Sequence, residues 1–231
     1  MIAIDAYLDR LVSELQKEFG PRLAYVGLQG SYLRNEADEK SDIDAMVVLD
    51  ELTISDLSVY RNILMRMGHY DLSCGFLCGR VELANWNPLE ICHLVHTTRD
   101  CYGSLQKLVP PYTREDEKNF VLFGLNNLYH ALCHCYVHES MEQNIAGLCA
   151  AYKQVFFLLQ NICYLQTGAF PATKRELLCR LQGKDKEILE QCIKFKIAPS
   201  DDFDRAFAAL FGWCQNAIMQ FKSDNDTGTG R

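Results

Sequence analysis

Residues 30–50 read GSYLRNEADEKSDIDAMVVLD, and this stretch decides how the N-terminal half of the chain is built. Its last part, residues 42–50, is apolar enough for a strand. On a strand, residues two apart share a face, so Asp42 and Asp44 project together while Ile43, Ala45 and Val47 point the other way, into a core. Two adjacent carboxylates repel unless positive charge sits between them, and a hard divalent cation with oxygen ligands meets that need. The stretch opens with Gly30-Ser31, directly after the apolar LAYVGLQ of residues 23–29, a second buried strand. Glycine lets backbone come close to a ligand. Backbone N–H groups at this turn, with the Ser31 hydroxyl, are placed to hold a phosphate oxygen. If the next residues are helical, a helix N-terminus faces the same phosphate. A phosphate holder and a metal holder on neighbouring strands make a site for phosphoryl transfer, where the protein supplies positioning and charge neutralisation.

The flanks give an α+β reading. Residues 5–19 form an amphipathic helix, stopped by Gly20-Pro21. Residues 53–68 form a second helix capped by Thr53 or Ser55, and residues 70–79 a third strand weakened by Gly75. Residues 80–107 are mixed, with Trp86-Asn87-Pro88 breaking the chain and Ile91–His96 open as strand or helix. After Pro110-Pro111 the pattern turns wholly helical. Helices are expected from Thr113 to about 138, over 141–167 ending at Gly168, over 174–182 from a capping box at Thr173 and Glu176, and over 184–195. A last helix spans 201–222 behind Ser200. The expected organisation is a small mixed-sheet domain over 1–109, a helical bundle over 110–222 that binds substrate, and a disordered tail over 223–231.

The spacing of Gly30-Ser31, ten intervening residues and Asp42-Ile43-Asp44 resembles the DNA polymerase beta-like nucleotidyltransferase superfamily. The nearer resemblance is to two-domain bacterial enzymes that inactivate antibiotics, the aminoglycoside and lincosamide nucleotidyltransferases, in which a helical bundle also follows the catalytic domain. The motif resemblance covers residues 27–50; beyond them it rests on domain order. Many members carry Gly four residues after the Ser. This chain has Asn35, the next most tolerant residue for a left-handed backbone. The resemblance implies that Asp42 and Asp44 bind one or two Mg²⁺ ions and that Gly30 and Ser31 hold the phosphates of an NTP, ATP foremost. A hydroxyl of a small acceptor would attack the α-phosphate, and pyrophosphate would leave. It further implies a third carboxylate as metal ligand or base, for which Asp71 is preferred and Glu82 is the alternative. From the helical half it implies a basic residue on the nucleotide, for which Lys153 is the candidate, although a lone Lys can equally extend to solvent. Two other readings use the same fold: transfer of AMP to a protein hydroxyl, and a non-catalytic regulatory module of the antitoxin kind. Retention of Ser31, Asp42 and Asp44 together counts against the second.

Composition narrows the partners. The net charge of −7, with no basic run denser than Lys174-Arg175, counts against long nucleic acid and suits a cationic acceptor. No apolar run reaches the ~20 residues that span a bilayer, and the N-terminus lacks the marks of a signal peptide. An odd count of 11 cysteines is not a disulfide framework, so a cytoplasmic protein with core thiols is expected. His130, His134 and His138 share one helix face with Cys133 and Cys135 nearby, which poses a zinc site against an ordinary polar helix face. No Cys-x-x-Cys pair or carboxylate completes a zinc spacing there.

Overall fold

The computed structural model describes residues 2–195 and 203–226. The chain divides into two compact units, Met1–Thr113 and Arg114–Arg231. The N-terminal unit opens with α1 (Ile4–Phe19), then β1 (Leu23–Leu28), the single turn α2 (Gly30–Leu33), β2 (Ile43–Leu49), α3 (Ile54–Met67) and β3 (Ser73–Gly79). It closes with α4 (Arg80–Ala84), α5 (Pro88–His96) and β4 (Arg99–Tyr102). The strands lie in the order β3-β2-β1-β4; β1 is antiparallel to β2 and β4, and β2 is parallel to β3.

Alternation along β2 separates two cores. Ile43, Ala45, Val47 and Leu49 pack with Leu8, Leu11, Leu15, Ile63 and Met67 of α1 and α3. On the other face Met46 and Val48 pack with Tyr25, Cys78, Leu83 and Leu105. Asp44 precedes Met46 on that second face, so the face that carries the acidic residue at one end is apolar core at the other. Helix α3 starts at a full capping box, in which Thr53 and Asp56 bond each other's backbone N–H.

One sequence expectation needs correction here, and the mixed stretch 80–107 is resolved. Residues 70–72 form a 3-10 turn, so Asp71 precedes β3 instead of opening it. Of the two alternatives for Ile91–His96 the helix is found, and Arg99–Tyr102, exposed except for the half-buried Tyr102, is an edge strand that no apolar alternation announced. Trp86, half-buried between α4 and α5, meets Phe76 edge-on at 5.0 Å and donates its indole N–H to Glu90.

The C-terminal unit is helical: α6 (Arg114–His138), α7 (Met141–Thr167), α8 (Lys174–Arg180), α9 (Gly183–Phe195) and α10 (Phe203–Asp226). Gly168 closes α7 at φ 71°, the left-handed cap that glycine favours. Thr173 caps α8, while Glu176 reaches back to the N–H of Ala172. Helix α10 runs through Asp226, so 223–226, expected as tail, are helical; Ser200 lies outside the described residues. Contrary to the sequence reading, α7 is long and apolar enough to cross a membrane. More than half of its apolar window is buried, and Leu148, Tyr152, Val155, Phe156 and Leu159 belong to the core of this unit. Trp213 is also in that core, 4% exposed, with its N–H bonded to Asp185. None of the eleven cysteines forms a disulfide.

Candidate active site

The site is built where β1 hands over to β2. The N–H of Gln29 donates to the carbonyl of Asp44 at 2.8 Å, extending the β1–β2 pairing one step past Leu28 and Ala45. The next residue, Gly30, has φ +69°, and a Cβ placed there would lie 1.8 Å from Oδ2 of Asp44. Glycine is therefore required twice: for its backbone angle and because the Asp44 carboxylate occupies the space of a side chain. The helical turn that follows is held by the Glu36 N–H donating to the Ser31 carbonyl at 2.9 Å. Asn35 takes φ 55°, the left-handed conformation in which Asn replaces Gly at least cost. The loop into β2 is fixed by Ser41, whose hydroxyl donates to Asp38 while accepting from the Asp38 N–H at 2.8 Å.

Asp42 is exposed immediately before β2, and Asp44 is half-buried within it. Burial pushes the Asp44 carboxyl above its ordinary range; the neighbouring Cys74 thiol opposes this, Asp42 adds to it, and Arg34 opposes it. Cys74 faces Asp44 across the parallel β2–β3 pairing. Burial, followed by the Asp44 charge, pushes the thiol upward as well.

Arg34 was missed in the sequence, although a basic residue three positions after Ser31 is a visible signal. Its side chain is 14% exposed, its Nε donates to Glu36 at 3.3 Å, and its charge acts on both Asp44 and His93. His93, on α5, is held down to about 4 by burial, then by His96 and Arg34, so it is neutral at physiological pH. Cys74 had no such signal, because its meeting with Asp44 depends on strand register.

The remaining candidates separate. Asp71 lies exposed in the turn before β3, at the end of the sheet that holds Asp42. Glu82 does not join them. Since Asp44 pairs with Cys74 and Leu49 with Gly79, the strands carry the chain roughly 16 Å away before Glu82 is reached. Lys153 is exposed on α7 of the other unit. His130, His134 and His138 line one exposed face of α6, with His134 and His138 rings 5.0 Å apart and His134 3.7 Å from Glu139. Among the described residues, no group of three His, Cys, Asp or Glu side chains is arranged to hold a metal ion.

Comparison with known proteins agrees with this geometry. Residues 8–71 match the nucleotidyltransferase domain family. Among solved structures, spectinomycin adenyltransferase AAD(9) from Enterococcus faecialis, determined with ATP and spectinomycin, shares the fold at a TM-score of 0.56 and 12% identity. The likeness covers 91% of this chain and 98% of that one. No curated protein sequence matches. The matched residues span β1, the Gly30 turn and β2, so the N-terminal unit is a nucleotidyltransferase domain of the DNA polymerase beta-like superfamily, and the chain that carries it is a nucleotidyltransferase.

Proposed function

We propose that this nucleotidyltransferase moves the nucleoside monophosphate of an NTP, ATP foremost, onto a hydroxyl of a small, cationic acceptor in a Mg²⁺-dependent reaction. The observation that carries the proposal is the Asp44 carboxylate pressed against Gly30, which puts the acidic pair and the phosphate-holding turn in contact. Asp42 and Asp44 fit Mg²⁺, a hard ion bound through one or two carboxylates, substrate phosphates and water instead of an all-protein cage. When bound, the metal neutralises charge developing on the phosphoryl oxygens.

The chain's own residues do the positioning. The Gly30-Ser31 backbone and the Ser31 hydroxyl hold the outer phosphates, with the Arg34 guanidinium beside them. An in-line displacement puts the attacking oxygen opposite the leaving pyrophosphate. With the outer phosphates at the β1 side of Asp44, the acceptor arrives from the β3 side. Asp71 is the carboxylate at that end of β3, and we assign it the acceptor proton. Lys153 is the cation we assign from the C-terminal unit. The antibiotic-like acceptor is supported by the ATP and spectinomycin in the AAD(9) structure and by the net charge of −7. Eleven cysteines held as thiols, without a disulfide, support a cytoplasmic setting.

The test is thermal stability with each NTP, with and without Mg²⁺, for the wild type and Asp44→Asn. A ligand at a hundred times its Kd stabilises the fold by about 2.7 kcal/mol. The expected result is a Mg²⁺-dependent rise with one NTP that is absent in Asp44→Asn. A folded wild type that responds to no NTP overturns the proposal in favour of the non-catalytic module.

A further inference from the structure

We propose that Glu36 is a positioning residue for Arg34, holding its guanidinium beside the phosphate-binding turn before a nucleotide arrives. This rests on the nucleotidyltransferase reading above. Two residues apart on a continuous helix, the two side chains would not face each other. Here the chain turns back between them. Arg34 is right-handed at φ −86°, and Asn35 is left-handed at φ 55°. The Asn35 N–H donates to the Tyr32 carbonyl at 3.2 Å, and the Glu36 N–H to the Ser31 carbonyl at 2.9 Å. These are the two bonds of a Schellman motif, which closes the helical turn on itself. The Glu36 backbone is thereby tied to Ser31, and its carboxylate accepts from Nε of Arg34 at 3.3 Å.

The frame around the pair is anchored. Tyr32 is buried, and Leu33 and Ala37 pack against the core of α1, β2 and α3. The ion pair is largely withdrawn from solvent, with side chains 14% and 22% exposed. A carboxylate here weakens, by its charge, the attraction of the turn for phosphate. What it contributes in return is orientation. A guanidinium is a planar fork of five donors, so a bond at Nε sets the plane in which the terminal nitrogens lie. An arginine ordered in advance also spares the binding step the entropy of ordering it.

The experiment measures the affinity of the full chain for α,β-methylene-ATP with Mg²⁺ by calorimetry, for Glu36→Ala, Glu36→Gln, Arg34→Ala and the double variant Arg34→Ala/Glu36→Ala. Glu36→Ala is expected to weaken binding about tenfold, within the range of coupled neighbours. Glu36→Gln keeps an acceptor for Nε and is expected to lie closer to wild type, and it carries the test if Glu36→Ala does not fold. The double variant is expected to bind no more weakly than Arg34→Ala, because Glu36 acts through Arg34. Glu36 variants that bind as tightly as wild type, or more tightly, overturn the positioning role and leave the nucleotidyltransferase reading intact. So does a further tenfold loss on adding Glu36→Ala to Arg34→Ala, which would show Glu36 acting by another route. A folded wild type that does not bind the nucleotide overturns the reading beneath, and this inference with it.

Discussion

Two carboxylates of the N-terminal unit, Asp56 and Asp44, are treated in opposite ways by the fold. Asp56, 5% exposed at the start of α3, accepts from both terminal nitrogens of Arg22 at 2.7 and 3.1 Å and from the N–H and hydroxyl of Thr53 at 2.9 and 2.8 Å. Arg22, then Thr53, hold its carboxyl far below the usual carboxylate range. Asp44 is half-buried beside a thiol with a second carboxylate nearby, and burial above all pushes its carboxyl up. A carboxylate that serves the fold has its lone pairs filled. One that serves a ligand is left partly desolvated and underfilled, at a cost in stability.

The largest expected effect breaks the comparison on the Asp44 side. Asp44→Asn should lower nucleotidyl transfer by more than about a hundredfold, beyond what loss of a supporting contact costs, while its melting temperature equals or exceeds wild type. A variant that is inactive because it is unfolded would refute that assignment, and calorimetry separates the two. Next comes the acceptor side. Asp71→Asn should lower kcat by about a hundredfold, the lower range for a general base, whereas Glu82→Gln at the far end of the strands should leave steady-state kinetics unchanged.

On the Asp56 side the effect is on stability alone. Its folded carboxyl lies below the unfolded value of about 3.9, so its contribution is present above that pH and is lost as pH falls towards the folded value. The melting-temperature gap between wild type and Asp56→Ala should therefore be full at pH 6 and close progressively below about pH 4. Equal gaps at both pH values would show that Asp56 acts by packing. The smallest change, Thr53→Ala, removes one cap and should cost about 1 kcal/mol in a denaturant titration without altering transfer per folded molecule.

The difference between what was legible in the sequence and what was not follows from the range of the forces involved. Gly30, Asp42 and Asp44 were readable because short-range rules act on them: alternation on a strand, and a glycine at a turn. Thr53 and Gly168 were readable as caps for the same reason. Asn35 was read as tolerating a left-handed backbone and has it. The position of Glu82 was not legible, since only the parallel register of β2 and β3 places it at the opposite end from Asp44. Strand β4 escaped because an exposed edge needs no apolar alternation, and its Asp100 is engaged by the Tyr25 hydroxyl, a long-range bond. Arg34 carries only a local signal, a basic residue three positions after Ser31.

The chain holds two tryptophans, and the fold has given each unit one of them in an opposite setting. Trp86 stands half-buried on Phe76 in the first unit, and Trp213 is sealed in the core of the second. Indole emission shifts to the red as water gains access, so the two units differ in colour before anything is attached to them. Trp213→Phe isolates the spectrum of the unit that carries the acidic pair, and Trp86→Phe isolates the other. A single unlabelled protein can thus report, by wavelength, which half melts first and which half a nucleotide protects.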